Sequence, residues 1–348
     1  MASFSLRVLA AAMLALGLLA APLLASHPTP AAPVSAATLA IKALRAARSM
    51  PVAFRLHPDN LLSRPDPTPS PTPPVAPTAT PVPPPVAARP APVRAVPPPA
   101  ITAQAGVLLD ADTGRILWAR DARAARPIAS IAKIFTAMVA IDLVPLDRVL
   151  PVPPSIASLP ADSTMMGLHP GERLSVRELL DGALLVSGND AAVTLAGSGS
   201  SQPAFIADMN ALAARIGLRS THFVNPVGLD SPGQYSSAMD LATAALFLDR
   251  HYPLLARLAA TGEIDLPATA THGAYRLQNL DKLLWTYPGV DGLKGGYTEL
   301  AGGCVLTTAT LGGHHVVAVV LGSPPLPSPG AFADMRALLD YGAALFQR

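Results

Sequence analysis

Cys304-Val-Leu-Thr-Thr-Ala-Thr-Leu-Gly-Gly-His-His-Val-Val-Ala-Val-Val-Leu321 reads as two strands and a turn. Residues 304–310 and 315–321 are rich in β-branched side chains, and Gly312-Gly313 supplies the reversal between them. Residues 291–298 have the same character, so three successive strands are expected, closed by a helix over residues 332–345. Toward the N-terminus the period changes. Residues 238–248 and 203–216 carry helical patterns, and Ser175-Val-Arg-Glu178 is a capping box opening a helix through Leu185. Ile131, Ile134, Ala137 and Met138 recur at helical spacing from Ser130 onward. Before them, Ala105-Gly-Val-Leu-Leu-Asp110 and Arg115-Ile-Leu-Trp-Ala119 flank the turn Asp112-Thr-Gly114, as a hairpin would. Hairpin, helices, strands, helix: the expected class is α+β, an antiparallel sheet flanked by helices with an all-helical insertion.

The first 100 residues are of another kind. Of 39 prolines in 348 residues, 22 fall there, and 17 lie among residues 58–99. Proline removes backbone donors and little apolar surface remains, so residues 27–100 are expected as a disordered spacer. Residues 58–99 would reach on the order of 130 Å if extended as polyproline. Arg7 followed by the apolar run Val8 to Ala25 gives residues 1–26 two readings, an export signal or an uncleaved membrane tether. Pro22 interrupts the run, and Lys42, Arg45 and Arg48 would lie on the wrong side for an anchor, so secretion is favoured. Residues 101–348 are expected to form the folded domain, placed outside the cytoplasm on either reading. A net charge of +2 gives no footprint for nucleic acid, and the single Cys304 excludes an internal disulfide or a cysteine metal cluster.

Only four of 25 basic residues are lysines: Lys42, Lys133, Lys282 and Lys294. Each lysine position therefore asks why arginine would not serve. In Ser130-Ile-Ala-Lys133 a serine and a lysine lie one helical turn apart on one face, the spacing of a nucleophile and its base. The lysine must be neutral to act so, which demands burial and a nearby cation, and arginine does not deprotonate. Ser187-Gly188-Asn189 brings a hydroxyl able to relay a proton and an amide able to hold a peptide, although the same triplet suits a plain turn. Lys294-Gly295-Gly296 ends a strand with fixed charge and with small residues along which a peptide backbone could lie. A phosphate-binding loop is excluded there, since its lysine would follow the glycines and precede a helix.

In this order the three motifs resemble the signature of the penicillin-recognising serine enzymes, and with Phe223-Val-Asn-Pro-Val-Gly-Leu-Asp230 they are similar to the low-molecular-mass penicillin-binding proteins, the S11 D-alanyl-D-alanine carboxypeptidases. The resemblance runs from about Ala103 to Gly342. It implies a β-lactamase-like fold with a helical lobe, acting on peptidoglycan stem peptides that end in D-Ala-D-Ala, with β-lactams as covalent inhibitors and no metal or organic cofactor. Ser130, Lys133, Ser187 and Asn189 would be catalytic: Ser130 is acylated, Lys133 takes its proton, Ser187 protonates the departing D-alanine, and Asn189 holds the substrate and orders Lys133. Lys294, Gly296 and Tyr297 would bind substrate, with the N–H groups of Ser130 and Tyr297 forming the oxyanion hole.

Two positions depart from that family's pattern. Gly295 stands where a threonine or serine is usual, and Ala331 where many relatives carry a carboxylate-binding arginine. Loss of both contacts motivates a rival reading, a wall-binding protein of the same fold with weak turnover. A β-lactamase, the other rival, needs a deacylating glutamate, and Glu263-Ile-Asp265 is better read as the start of a surface strand. Asp112-Thr-Gly114 spells an aspartic-protease triplet without a second copy and reads as a turn. His314 and His315 point to opposite faces of a strand, and Cys304 reads as a small core residue.

Overall fold

A computed structural model describes residues 96–325 and 330–347. The expected signal or tether and nearly all of the spacer lie outside these residues. Among the described residues, no helix is long and apolar enough to cross a membrane.

Five strands form one antiparallel sheet: β1 (Ala105–Asp110), β2 (Ile116–Arg120), β7 (Val290–Thr298), β8 (Gly302–Leu311) and β9 (His314–Ser323), in the order β2-β1-β9-β8-β7. Both hairpins anticipated from their turns are present. Asp110 explains the Asp112-Thr-Gly114 turn, since its carboxylate accepts from the N–H groups of Asp112 and Thr113, each at 3.0 Å. Strand β9 alternates between two cores. Val316, Ala318 and Val320 pack with Met335, Leu338 and Leu339 of the last helix, α8 (Gly330–Phe346), while Val317, Val319 and Leu321 face the helical lobe. Burial on both faces is why its sequence is nearly continuously apolar, and each such valine or leucine contributes roughly 1.5–3 kcal/mol.

The lobe contains α1 (Lys133–Leu143), α2 (Val176–Leu184), α3 (Asn189–Ala196), α4 (Gln202–Ile216), α5 (Ala238–His251) and α6 (Pro253–Ala259). The capping box is realised: the Ser175 hydroxyl accepts from the Glu178 N–H, and the Glu178 carboxylate accepts from the Ser175 N–H at 2.7 Å. In α1, Ile134, Phe135, Ala137 and Met138 are fully buried, and Phe135 meets Phe223 with ring centroids 4.6 Å apart. Short elements complete the structure: the ladders β3 (Val149–Pro151) with β4 (Arg173–Ser175) and β5 (Glu263–Leu266) with β6 (Tyr275–Gln278), and a short helix α7 (Lys282–Thr286).

One local expectation changes. Ser130 does not sit on α1 itself. It lies in a tight 3-10 turn, Ala129–Ala132, that feeds α1 at Lys133, because Ala129 has a left-handed φ of 48° that no α-helix accommodates. The turn packs against β7, the edge strand of the sheet. A Cβ on Gly296 would stand 2.6 Å from the Ser130 nitrogen, so only glycine permits this approach.

Candidate active site

Ser130 is half-buried at the start of the lobe, and its hydroxyl accepts a hydrogen bond from Lys133 Nζ at 2.8 Å. Lys133 is completely buried. Its nitrogen also donates to Ser187 Oγ at 3.4 Å and to the Val227 carbonyl at 3.0 Å. Burial and then the charge of Lys294 push the Lys133 ammonium well below its usual pKa, against a smaller opposing pull from Asp190. A lysine so placed gives up its proton easily, as a base for Ser130 requires.

The loop carrying Val227 is shaped to reach Lys133. Gly228 has φ 89°, and a Cβ there would stand 1.9 Å from the Ala129 carbonyl oxygen. Asn225 Oδ1 accepts from the Gly228 N–H at 2.8 Å, and the Pro226 carbonyl accepts from Thr136 of α1 at 2.6 Å. The block Phe223–Asp230 thus supplies the third acceptor of the lysine. Its glycine was legible in the sequence; the carbonyl, being backbone, was not.

Ser187 and Asn189 sit between α2 and α3. Ser187 has φ 58°, a strained value for a serine; with Ala129 it is one of three non-glycine residues in the left-handed region among the described residues. The segment is held through Asp190, whose two carboxylate oxygens accept from the N–H groups of Met166, Gly167, Leu168 and Ala191, all between 2.8 and 2.9 Å. Asn189 is buried, and its amide oxygen has no hydrogen-bond partner among the described residues. The expected ordering of Lys133 by Asn189 is corrected here. The three hydrogen bonds of the ammonium go to Ser130, Ser187 and Val227 instead.

Across the cleft, Lys294 of β7 is buried, and its ammonium donates to the Gly295 carbonyl at 2.7 Å. Burial lowers its pKa to about 8, while Asp281 acts in the opposite direction. Gly295, Gly296 and the exposed Tyr297 follow along the strand edge. Thr298 is committed elsewhere: its hydroxyl donates to Asp230 at 2.6 Å, so it does not replace the hydroxyl missing at residue 295. Ser130, Ser187, Lys294, Gly295, Gly296, Tyr297, Ala331 and Phe332 all line one cleft of about 680 Å³. The motifs read separately in the sequence therefore meet, and both departures, Gly295 and Ala331, face the same space.

Of the remaining candidates, Cys304 touches the cleft wall, whereas Glu263, His314 and His315 do not. Glu263 pairs with Arg276 on β5–β6 at 2.6 Å, and no glutamate is among the residues lining the cleft. Cys304 is buried, with its thiol pushed up to about 12 by burial, so it is not a thiolate nucleophile. His314 stacks on Phe346 at 4.0 Å, while His315 turns to Asp249 and Asp291. No cluster of three metal-ligating side chains occurs among the described residues. Sequence reading missed Val227, Asp190, Asp230 and Asp281, four groups whose places depend on the folded chain.

Residues 92–325 match the family model described as D-alanyl-D-alanine carboxypeptidase, Peptidase_S11. The chain is 37% identical over 257 residues to the D-alanyl-D-alanine carboxypeptidase DacB2 of Mycobacterium tuberculosis, covering 73% of this chain and 87% of that one. With DacF of Bacillus subtilis it shares 35% over 250 residues, covering 70% of this chain and 63% of that protein. Among solved structures, a D-alanyl-D-alanine carboxypeptidase of Mycobacterium tuberculosis superposes with a TM-score of 0.66 at 36% identity, covering 73% of this chain and 95% of that one. The Streptomyces K15 DD-transpeptidase superposes with a TM-score of 0.65 at 30% identity, covering 72% and 100%.

Proposed function

The chain belongs to the S11 family of D-alanyl-D-alanine carboxypeptidases, and from that premise we propose that Ser130 is its acylated nucleophile and peptidoglycan stem peptides ending in D-Ala-D-Ala its substrate. The observation that carries the assignment is the 2.8 Å hydrogen bond between Ser130 Oγ and a lysine that is wholly buried beside a second cation.

In the reaction, neutral Lys133 accepts the Ser130 proton as Oγ attacks the carbonyl of the terminal peptide bond. The N–H groups of Ser130 and Tyr297 face the developing oxyanion, a contribution typically of about 2.7–4 kcal/mol per donor. Ser187, within reach of Lys133, passes a proton to the D-alanine amine as the C–N bond breaks. Water then attacks the acyl-enzyme and releases the shortened peptide. Lys294 keeps the cleft positive toward the substrate's terminal carboxylate, and the edge of β7 at Gly295 and Gly296 receives the peptide backbone as an added strand. The unpartnered amide oxygen of Asn189 is the group left to meet a substrate N–H.

Members of this family act on peptidoglycan and so outside the cytoplasm. We place residues 1–26 as an export signal, with secretion favoured over a tether, and residues 27–100 as a spacer between the wall or membrane and the catalytic domain. Trimming of stem peptides in the wall would connect the activity to cell shape.

A fluorescent penicillin should label the full-length protein once, at Ser130, and intact mass should show a single adduct absent from Ser130→Ala. An adduct that persists in that variant rules out the assignment. Gly295 and Ala331 favour a second reading, a wall-binding protein that acylates but turns over poorly. Release of D-alanine from a D-Ala-D-Ala peptide at family-typical rates would exclude it.

A further inference from the structure

Asp281 stands out among the groups that the reaction above does not use. It is 5% exposed, it lines the same cleft as Lys294, itself 4% exposed, and its charge favours the Lys294 ammonium. Its position is rigid. One carboxylate oxygen accepts from the Leu283 N–H at 2.9 Å and caps α7, and its own N–H donates to Asn279 Oδ1 at 2.9 Å. The other oxygen, Oδ2, has no hydrogen-bond partner among the described residues. Leaving a carboxylate oxygen buried and unpartnered is costly unless a charge nearby compensates it.

The cleft must hold two buried lysines in opposite states, Lys133 neutral and Lys294 charged. Two buried carboxylates, Asp190 and Asp281, are available to decide which lysine keeps its proton. Asp190 has both oxygens occupied by four backbone N–H groups, so its charge is answered locally. Asp281 alone has an oxygen to spare. Other charged groups on the elements packed against β7 do not compete. Arg257 of α6 and Lys282 of α7 are exposed, as is Asp291 on β7 itself, and the Cys304 thiol of β8 is neutral.

We propose that Asp281 is a positioning residue of the acylation step: its buried carboxylate is the counter-charge that keeps Lys294 an ammonium while Lys133 gives up its proton. The two lysines repel each other's protons, and a negative group beside one of them breaks the tie. The proposal rests on the Ser130 acyl-enzyme reading and adds a source for its charge asymmetry.

The test is the pH profile of Ser130 acylation by a fluorescent penicillin, measured on the full-length protein and on Asp281→Asn, which retains the α7 cap. With the counter-charge gone, Lys294 should lose its proton at lower pH. The alkaline limb should move down by about one unit, leaving acylation at pH 8.5 about tenfold slower than wild type, with little change at the acid end. In a Lys294→Arg background, where residue 294 stays charged throughout, adding Asp281→Asn should shift nothing. An unmoved alkaline limb in folded Asp281→Asn overturns the proposal, and so does a shift that persists in the arginine background. If Asp281→Asn does not fold, Asp281→Ser, which also keeps a capping oxygen, takes its place. Loss of the fold in both overturns the proposal as well, since the carboxylate would then serve only the cap. Label surviving in Ser130→Ala removes the enzyme reading instead; label confined to Ser130 with an unmoved limb removes only the role of Asp281.

Discussion

Gly295 lines the cleft where the family's usual threonine or serine hydroxyl is missing. A hydroxyl-bearing side chain fits at this position, since a Cβ at 295 would meet Phe332 at 3.5 Å and the Cys304 carbonyl at 3.8 Å, both ordinary contacts. Thr298 cannot substitute, because its proton is donated to Asp230. Gly295→Thr should therefore raise kcat/KM on a D-Ala-D-Ala peptide by about ten- to a hundred-fold, the scale of one charge-assisted hydrogen bond. Acylation by a substrate without a free carboxylate should change much less. Equal gains on both substrates, or none in a stable variant, would refute the carboxylate argument. Gly228 is the opposite case. Its φ of 89° and the 1.9 Å approach to the Ala129 carbonyl leave no room for a methyl group. Gly228→Ala should displace both Ser130 and the Val227 acceptor of Lys133 and slow penicillin acylation by about a hundredfold or more. A variant that labels at the wild-type rate would show that this loop does not position the lysine.

Two elements carry the charges of the reaction, α1 through Lys133 and β7 through Lys294. Each has a lowered pKa, and the signs oppose in function. The base works only after losing its proton, so activity rises with pH through the Lys133 titration. The substrate-facing cation works only while it holds its proton, so activity falls as pH passes about 8. A bell-shaped kcat/KM profile is expected, with Lys294→Arg extending the alkaline side. An alkaline limb unchanged in Lys294→Arg would assign it to another group. At α2 the test is stability. Ser175→Ala removes one half of a realised capping box and should cost about 1 kcal/mol, or about 2–4 °C in Tm for a domain of this size. An unchanged Tm would mean that the cap is idle.

At the scale of the whole molecule, the sheet end opposite Thr298 holds His315 between Asp291 and Asp249. Hydrogen bonding to Asp291 and the neighbouring carboxylates raises the pKa of His315 despite partial burial. Stability from this imidazolium is fully present below the unfolded histidine value near 6.5 and is lost as pH rises through the raised folded value. Buried Lys133 and Lys294 act in the opposite sense as pH approaches 10, so the informative quantity is the difference between wild type and His315→Gln. That difference in Tm should be largest near pH 6 and shrink by pH 9; a constant difference would show that the charge contributes nothing. The N-terminal boundary is also testable. Pro99 and Ile101 are buried, so a deletion should stop short of Val96. Removing residues 65–95, whose composition offers almost nothing to pack, should leave Tm and the activity of the purified protein unchanged. A drop of several degrees would mean that the segment docks on the domain.

By itself the sequence determined most of the elements and named the groups proposed to react. Short-range patterns suffice for these: the Gly312-Gly313 reversal, the Ser175–Glu178 box, the alternating valines of β9, and a serine three residues before a lysine. Tertiary structure decided what those groups can do. Lys133 is suited to the proposed role of base because burial and a lysine 161 positions away in the chain lower its pKa together. Val227 enters the site through a carbonyl that every residue possesses, which no residue type could announce. Ser130 lies in a 3-10 turn set by the left-handed Ala129, and only a glycine at 296 lets the edge strand of the sheet approach its nitrogen. Spacing along a chain records which groups are present, whereas desolvation, strain and the field of distant charges arise only when the chain has closed around them.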